Sequence, residues 1–83
     1  MDEQDFELLA ALDKTKNITH AADKLYVTQS SLSKRINAIE QELGITLFVR
    51  SRQGVHFTPE GEEVLKRTMA AAAQLKLMRE AID

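Results

Sequence analysis

Thr28, Gln29, Ser30, Ser31, Ser33 and Lys34 put short hydroxyls, one amide and one ammonium within seven consecutive positions. At the start of a helix, where the backbone comes close to the floor of a DNA groove, such side chains carry the donors and acceptors that base edges require. Glutamine pairs bidentately with adenine, lysine reaches guanine O6 and N7, and serine serves either base or phosphate. A serine-rich first turn can also do no more than cap its helix and face water, so its surroundings have to decide. Arg50, Arg52 and Gln53 form a second group, because arginine's planar fork suits both phosphate and a narrow minor groove. Thr19, His20, Lys24 and Arg35 are candidates for phosphate contacts that position without specifying.

Catalysis finds no comparable arrangement. His20 and His56 have no serine or carboxylate partner at a meaningful spacing, and neither belongs to an H-x-x-x-H pair. Glu40 and Glu42, like Glu60, Glu62 and Glu63, read as solvated helix charges. A chain of 83 residues has no second lobe to form a cleft, so the sequence points away from an enzyme and implies neither cofactor nor metal. The absence of cysteine excludes disulfides and thiolate metal sites and is compatible with a cytoplasmic setting. The acidic start, M-D-E-Q-D-F-E, has the wrong charge for a signal peptide. No apolar run approaches the roughly 20 residues that span a bilayer, so no membrane partner is expected.

A net charge of −2 argues against a nucleic-acid partner only until its distribution is considered. Residues 14–58 hold seven bases (Lys14, Lys16, Lys24, Lys34, Arg35, Arg50, Arg52) against three acids, or +4, whereas the flanks together carry −6. Attraction to phosphate depends on the local patch, so a basic middle on an acidic chain remains compatible with DNA.

The elements that must position these groups follow from periodicity and capping. A first helix is predicted over residues 3–14, with Phe6, Leu9, Ala10 and Asp13 on one face and Leu8 and Leu12 widening it. A second helix, with Thr19 as N-cap, turns Ala21, Ala22 and Leu25 inward. Tyr26, Val27 and Thr28 form a turn without glycine or proline. Thr28 then caps a third helix through the amide of Ser30 or Ser31, while Val27 and Leu32 are placed as a hydrophobic staple. Leu32, Ile36, Ile39 and Leu43 form its buried stripe and Gly44 ends it. This is the layout of a helix-turn-helix, whose second helix enters the major groove of double-stranded DNA. Residues 45–49 and 55–58 read as short strands joined by a loop over 50–54, making a wing. Thr58, Pro59 and the glutamates after them open a last helix.

On that last helix Val64, Thr68, Ala71, Leu75, Met78 and Ile82 alternate four and three apart, the spacing of a coiled-coil seam. At 1.5 Å per residue the helix would be about 36 Å long, more than so small a domain covers. A symmetric partner helix would bury the seam and give a homodimer. The alternative is that the helix lies along the first helix of its own chain, with Leu65, Met69 and Ala72 facing the domain core. The expected fold is mainly α: a winged helix-turn-helix over 1–58, with a short two-stranded wing, and a long C-terminal linker and dimerisation helix over 59–83.

The chain resembles the N-terminal DNA-binding domain of LysR-type transcriptional regulators over essentially its whole length. The resemblance rests on F-x-x-L near the start, T-x-A-A-x-x-L in the second helix, V-T-Q-S-S-L-S-K-R-I in the third and I-E-Q-E-L-G-I-T-L-F-V-R after it. R-x-x-x-G-V-x-F-T-P-E-G across the wing completes it. It implies a bacterial transcription regulator's domain, dimerised through the last helix and reading the two half-sites of an inverted repeat about one helical turn apart. Family contacts map onto Gln29, Ser30, Ser33 and Lys34 in the recognition helix and onto Arg50, Arg52 and Gln53 in the wing. Ser30 stands where the family often has proline, Lys34 where it often has arginine, and Gln53 where an arginine commonly precedes the glycine. The base preference therefore does not transfer. Complete members continue into a domain that binds a small-molecule inducer, so an inducer is a partner only if such a domain follows. As it stands, the chain reads as either a truncated piece or a stand-alone module. Two other readings stay open: a winged-helix interaction module that dimerises without reading DNA, and an architectural binder without sequence preference.

Overall fold

The computed structural model describes residues 1–82, which leaves position 83 of the expected last helix outside the described residues. The chain runs α1 (Glu3–Thr15), α2 (Ile18–Leu25), α3 (Gln29–Leu43), β1 (Phe48–Ser51), β2 (Gly54–Phe57) and α4 (Pro59–Ile82). This is the mainly helical, winged architecture expected from the sequence.

Each helix start has a local cause. The Asp2 side chain accepts from the Asp5 amide (3.0 Å) and the Asp5 side chain accepts from the Asp2 amide (3.1 Å), a reciprocal capping box for α1. Lys16 ends α1 in the left-handed region and leaves Asn17 extended, so Asn17, not Thr19, caps α2 by accepting from the His20 amide at 2.9 Å. Thr19 lies inside the first turn. Tyr26 makes the turn after α2 at φ +59°, which costs a non-glycine residue about 1–2 kcal/mol. Thr28 caps α3 by accepting from the Ser31 amide (3.0 Å), and Gly44 at φ +69° ends it.

The core draws on every element. Leu8, Leu9, Ala11 and Leu12 of α1 meet Ala21 and Ala22, Leu32, Ile36 and Ile39, Leu47 and Phe48, Val55, and Leu65. The expected face of α1 is rotated: Ala10 is exposed, because α1 packs against α2 on one side and α4 on the other. Leu43 is also outside the core, at 38% exposure. The chain folds back after Gly44, and Leu47, fully buried, closes that end of the core instead.

The wing is a two-stranded antiparallel sheet with Phe48 opposite Phe57 and Ser51 opposite Gly54. Its first strand begins three residues later than expected. The Ile45 amide donates to the Glu40 carbonyl (3.2 Å) and the Leu47 amide to the Glu40 carboxylate (2.7 Å), so residues 45–47 belong to the helix exit. The ladder begins where the Phe48 and Phe57 rings pack at 4.6 Å. Arg50 and Ser51 thus lie on a strand, and only Arg52 and Gln53 form the loop.

Thr58 caps α4 by accepting from the Gly61 amide at 2.9 Å. Gly61, Leu65 and Thr68 are buried, so the first turns of α4 belong to the head. Thr68 corrects the expected dimer seam: it is 7% exposed and its hydroxyl donates to the Leu65 carbonyl at 3.0 Å. The reason is the register of α4 on α1, which turns Leu65 and Thr68 inward and leaves Met69 out at 52% exposure. Val64, Ala71 and Leu75 are half-buried, whereas Leu77, Met78 and Ile82 are exposed. At its far end α4 is tied to α1 by Arg79, which donates to both Glu3 carboxylate oxygens at 2.6 Å.

Candidate nucleic-acid interface

Successive residues of α3 turn by about 100°, so its side chains fall into strips. Leu32, Ile36 and Ile39 are turned into the core. Ser30, Lys34, Asn37 and Gln41 share the outermost, exposed strip. Gln29 and Ser33 flank it on the wing side, and Ser31 and Arg35 on the α1 side.

The wing-side flank opens onto a groove lined by Thr19, Gln29, Ser33, Arg50, Arg52 and Gln53. Six of the thirteen sequence-derived candidates therefore converge there, from α2, α3, β1 and the hairpin loop. Two contacts hold the wing at this distance from α3. The Leu47–Glu40 bond fixes where the chain leaves α3, and the Val55 amide donates to the Lys16 carbonyl at 2.9 Å, which rests the hairpin on the α1–α2 junction. Lys16 also donates to Asp13 (2.8 Å), and its Nζ lies 5.0 Å from the centre of the Phe57 ring. Arg50 reaches from β1 to α3, where Nη2 donates to Ser33 Oγ at 3.4 Å. Arg52 and Gln53 occupy the tip of the hairpin.

The charges sort by partner. Arg35 donates to Asp5 at 2.6 Å and reaches Asp2 at 3.4 Å. Asp5 first, through charge and hydrogen bond, and Asp2 beyond it hold the guanidinium pKa above its ordinary value. Arg35 therefore shares its charge with Asp5, which has only 7% of its side chain exposed, while its own side chain stays 47% exposed. Lys24 lies against Lys14 in a depression shared with Glu7, and that neighbouring ammonium lowers its pKa. His20 is exposed on α2, outside the groove. By contrast Lys34, Arg50 and Arg52 have no carboxylate partner among the described residues. One unneutralised cation thus lies within a strip of amides and hydroxyls and two more line its wing side, an arrangement suited to a polyanion that also presents hydrogen-bonding edges.

The sequence reading missed Asn17, which caps α2 and lines the groove, and Asn37 and Gln41, which continue the outer strip of α3. The last two were findable, since they follow Ser30 and Lys34 at helical spacing.

Comparison with known proteins decides the family. The model of the bacterial regulatory helix-turn-helix proteins of the lysR family matches residues 4–62. The chain belongs to the LysR family. Over its full length it is 34% identical to YkuM, an HTH-type transcriptional regulator of Bacillus subtilis, covering 28% of that protein. This LysR-family chain thus spans about a quarter of the length of the curated relatives it matches. Among solved structures, the BenM DBD in complex with benA site 1 DNA superposes with a TM-score of 0.91 at 30% identity, covering 99% of this chain and 92% of that one. DarR of Vibrio fischeri, also solved in complex with DNA, gives 0.90 at 27%, covering 99% of this chain and 28% of that one. The winged fold of the LysR-family domain is therefore shared along essentially its whole length.

Proposed function

We propose that this LysR-family domain binds double-stranded DNA sequence-specifically, as a homodimer, within a bacterial transcription regulator working in the cytoplasm. The observation that carries this reading is that Lys34, on the exposed strip of α3, and Arg50 and Arg52, lining the groove beside it, have no carboxylate partner among the described residues. With α3 in the major groove, Gln29, Ser30, Ser33 and Lys34 face base edges, and Thr19 and the wing face phosphate or the flanking minor groove. Solved complexes of BenM and DarR with DNA support the same use of the fold.

Dimerisation is assigned to α4, through the surface left by its packing on α1: Ala71, Leu75, Met78 and Ile82 of the expected seam, with Met69 and Leu77 beside them, while Val64, packed against the core, is only its inner edge. The division into a head (1–58) and a linker segment (59–83) is one of function, since the first turns of α4 pack into the head. An inducer enters only with a further domain of the parent protein.

Selection of bound duplexes from a randomised pool at near-physiological salt tests the reading. Enrichment of an inverted repeat with half-sites about one turn apart is the expected result. Recovery without enrichment would indicate an architectural binder. No recovery even at low salt would favour a winged-helix interaction module.

A further inference from the structure

The outer strip of α3 does not end at Lys34. Asn37 and Gln41 continue it at spacings of three and four, opposite the side that holds Leu32, Ile36 and Ile39 in the core. Both carboxylates of α3 lie off this strip and are engaged. Glu40 accepts from the Leu47 amide at 2.7 Å, and Glu42 accepts from the Met1 ammonium at 2.8 Å. The side-chain hydrogen bonds of α3 fall on Ser33, Arg35, Glu40 and Glu42, and none falls on Asn37 among the described residues. Asparagine is also among the poorer helix formers, so at this exposed mid-helix position it brings the fold neither a bond nor propensity. The wing marks the level at which DNA would meet α3, because Arg50 reaches Ser33 there. Gln29 and Asn37 lie one turn to either side of Ser33, each about 6 Å away along the axis.

We propose that Asn37 is a further specificity-determining residue, reading one adenine in each half-site. This rests on the DNA-binding function proposed above and extends the reading surface one helical turn beyond Ser33. A helix lying along the major groove reads bases from successive turns, so a strip that stays polar, exposed and free of carboxylates can read past its first turns. The base follows from the carboxamide, which offers a donor and an acceptor side by side. Only adenine presents the complementary pair on its major-groove edge, N6 as donor and N7 as acceptor. Guanine presents two acceptors, thymine one acceptor beside a methyl group, and cytosine one donor. The position follows from helix geometry. Asn37 lies about 4.5 Å beyond Lys34 along the axis, a little over one base-pair step of about 3.4 Å. The adenine therefore falls one or two steps from the base that Lys34 reads, on the side away from Gln29.

The test is duplex selection with the wild type, Asn37→Ala and Asn37→Asp. Alanine is the better helix former and Asn37 is exposed, so Asn37→Ala should fold as the wild type does, with circular dichroism as the check. In the wild type, one position per half-site should favour adenine by about five- to a hundredfold, the range of one bidentate pair. Asn37→Ala should erase that preference at this position alone. Asn37→Asp should move it to cytosine, because aspartate accepts from cytosine N4 and has no donor for adenine N7. An Asn37 that only faces water or phosphate predicts neither change. If Asn37→Ala selects the wild-type site, or loses recovery evenly from every sequence, the proposal falls with DNA reading intact. An adenine preference kept by Asn37→Asp would also overturn it. Should the added charge of Asn37→Asp abolish recovery, the alanine comparison decides by itself. If the wild type enriches no site, DNA reading itself fails and takes the proposal with it.

Discussion

Replacing Gly54 by alanine should unseat the wing, and a second glycine supplies the control. Gly54 and Gly44 both have positive φ, +117° and +69°. An added methyl at Gly44 meets nothing within 4 Å, whereas at Gly54 it collides with the Lys16 carbonyl oxygen. That carbonyl cannot rotate away, because it belongs to the residue that ends α1 and it accepts from the Val55 amide at 2.9 Å. Gly44→Ala should therefore cost only the left-handed backbone penalty, about 1 kcal/mol. Gly54→Ala carries at least that penalty, since φ +117° lies outside the left-handed well, and it also lifts the hairpin, losing about 0.5–1.5 kcal/mol of hydrogen bond and loosening Val55. The expected total is about 2–4 kcal/mol, a large share of the roughly 4–12 kcal/mol available to a domain of this size. Urea unfolding followed by circular dichroism, at one fixed protein concentration, reads the difference directly. A Gly54→Ala protein no less stable than Gly44→Ala would refute the claim that the wing is seated on the α1–α2 junction.

Four further outcomes are expected. Lys34→Ala should weaken binding to a selected site by about 1–3 kcal/mol if Lys34 reaches a base. Arg35→Gln should instead lower the melting temperature and leave the salt dependence of DNA binding unchanged, because Arg35 is engaged by Asp5 and Asp2; fluorescence titrations at several salt concentrations separate the two. Asp2, whose carboxyl is held below its ordinary 3.8 chiefly by the Asp5 amide and then by Arg35, stabilises the fold above that value and ceases to do so as pH falls through the lowered one. Asp2→Asn keeps a competent cap, so it should flatten the acid side of a stability–pH curve while leaving helix content unchanged by circular dichroism. Met78→Glu should shift the protein to monomer in sedimentation and cost affinity for a paired site while sparing a single half-site, as α4 places Met78 at 53% exposure.

Several features were legible from local spacing alone. The caps at Thr28, Gly44 and Thr58 were among them, since each depends on a side chain or a glycine within a few residues of the helix end it serves. Where two local answers compete, spacing alone does not choose between them. Asn17 and Thr19 are both competent caps, and only the left-handed turn at Lys16 selects Asn17. Residues 45–47 have strand-forming types, yet the Glu40 side chain and carbonyl hold them out of the ladder from seven and five residues away.

By itself the sequence determined the order of the elements, the family and the leading turns of the polar strip on α3, because these depend on residue types at fixed helical or motif spacing. Tertiary structure alone decided which charged and hydroxyl groups are available. Ser31 and Arg35 share a helix turn with Ser33 and Lys34, yet Arg35 is drawn to a carboxylate 30 residues earlier, while Ser33 meets an arginine 17 residues later. Thr68 fits a seam by period, but the register of α4 on α1 buries it. Periodicity assigns a residue to a face of its helix, whereas the element packed against that face decides whether it remains free to bind a partner.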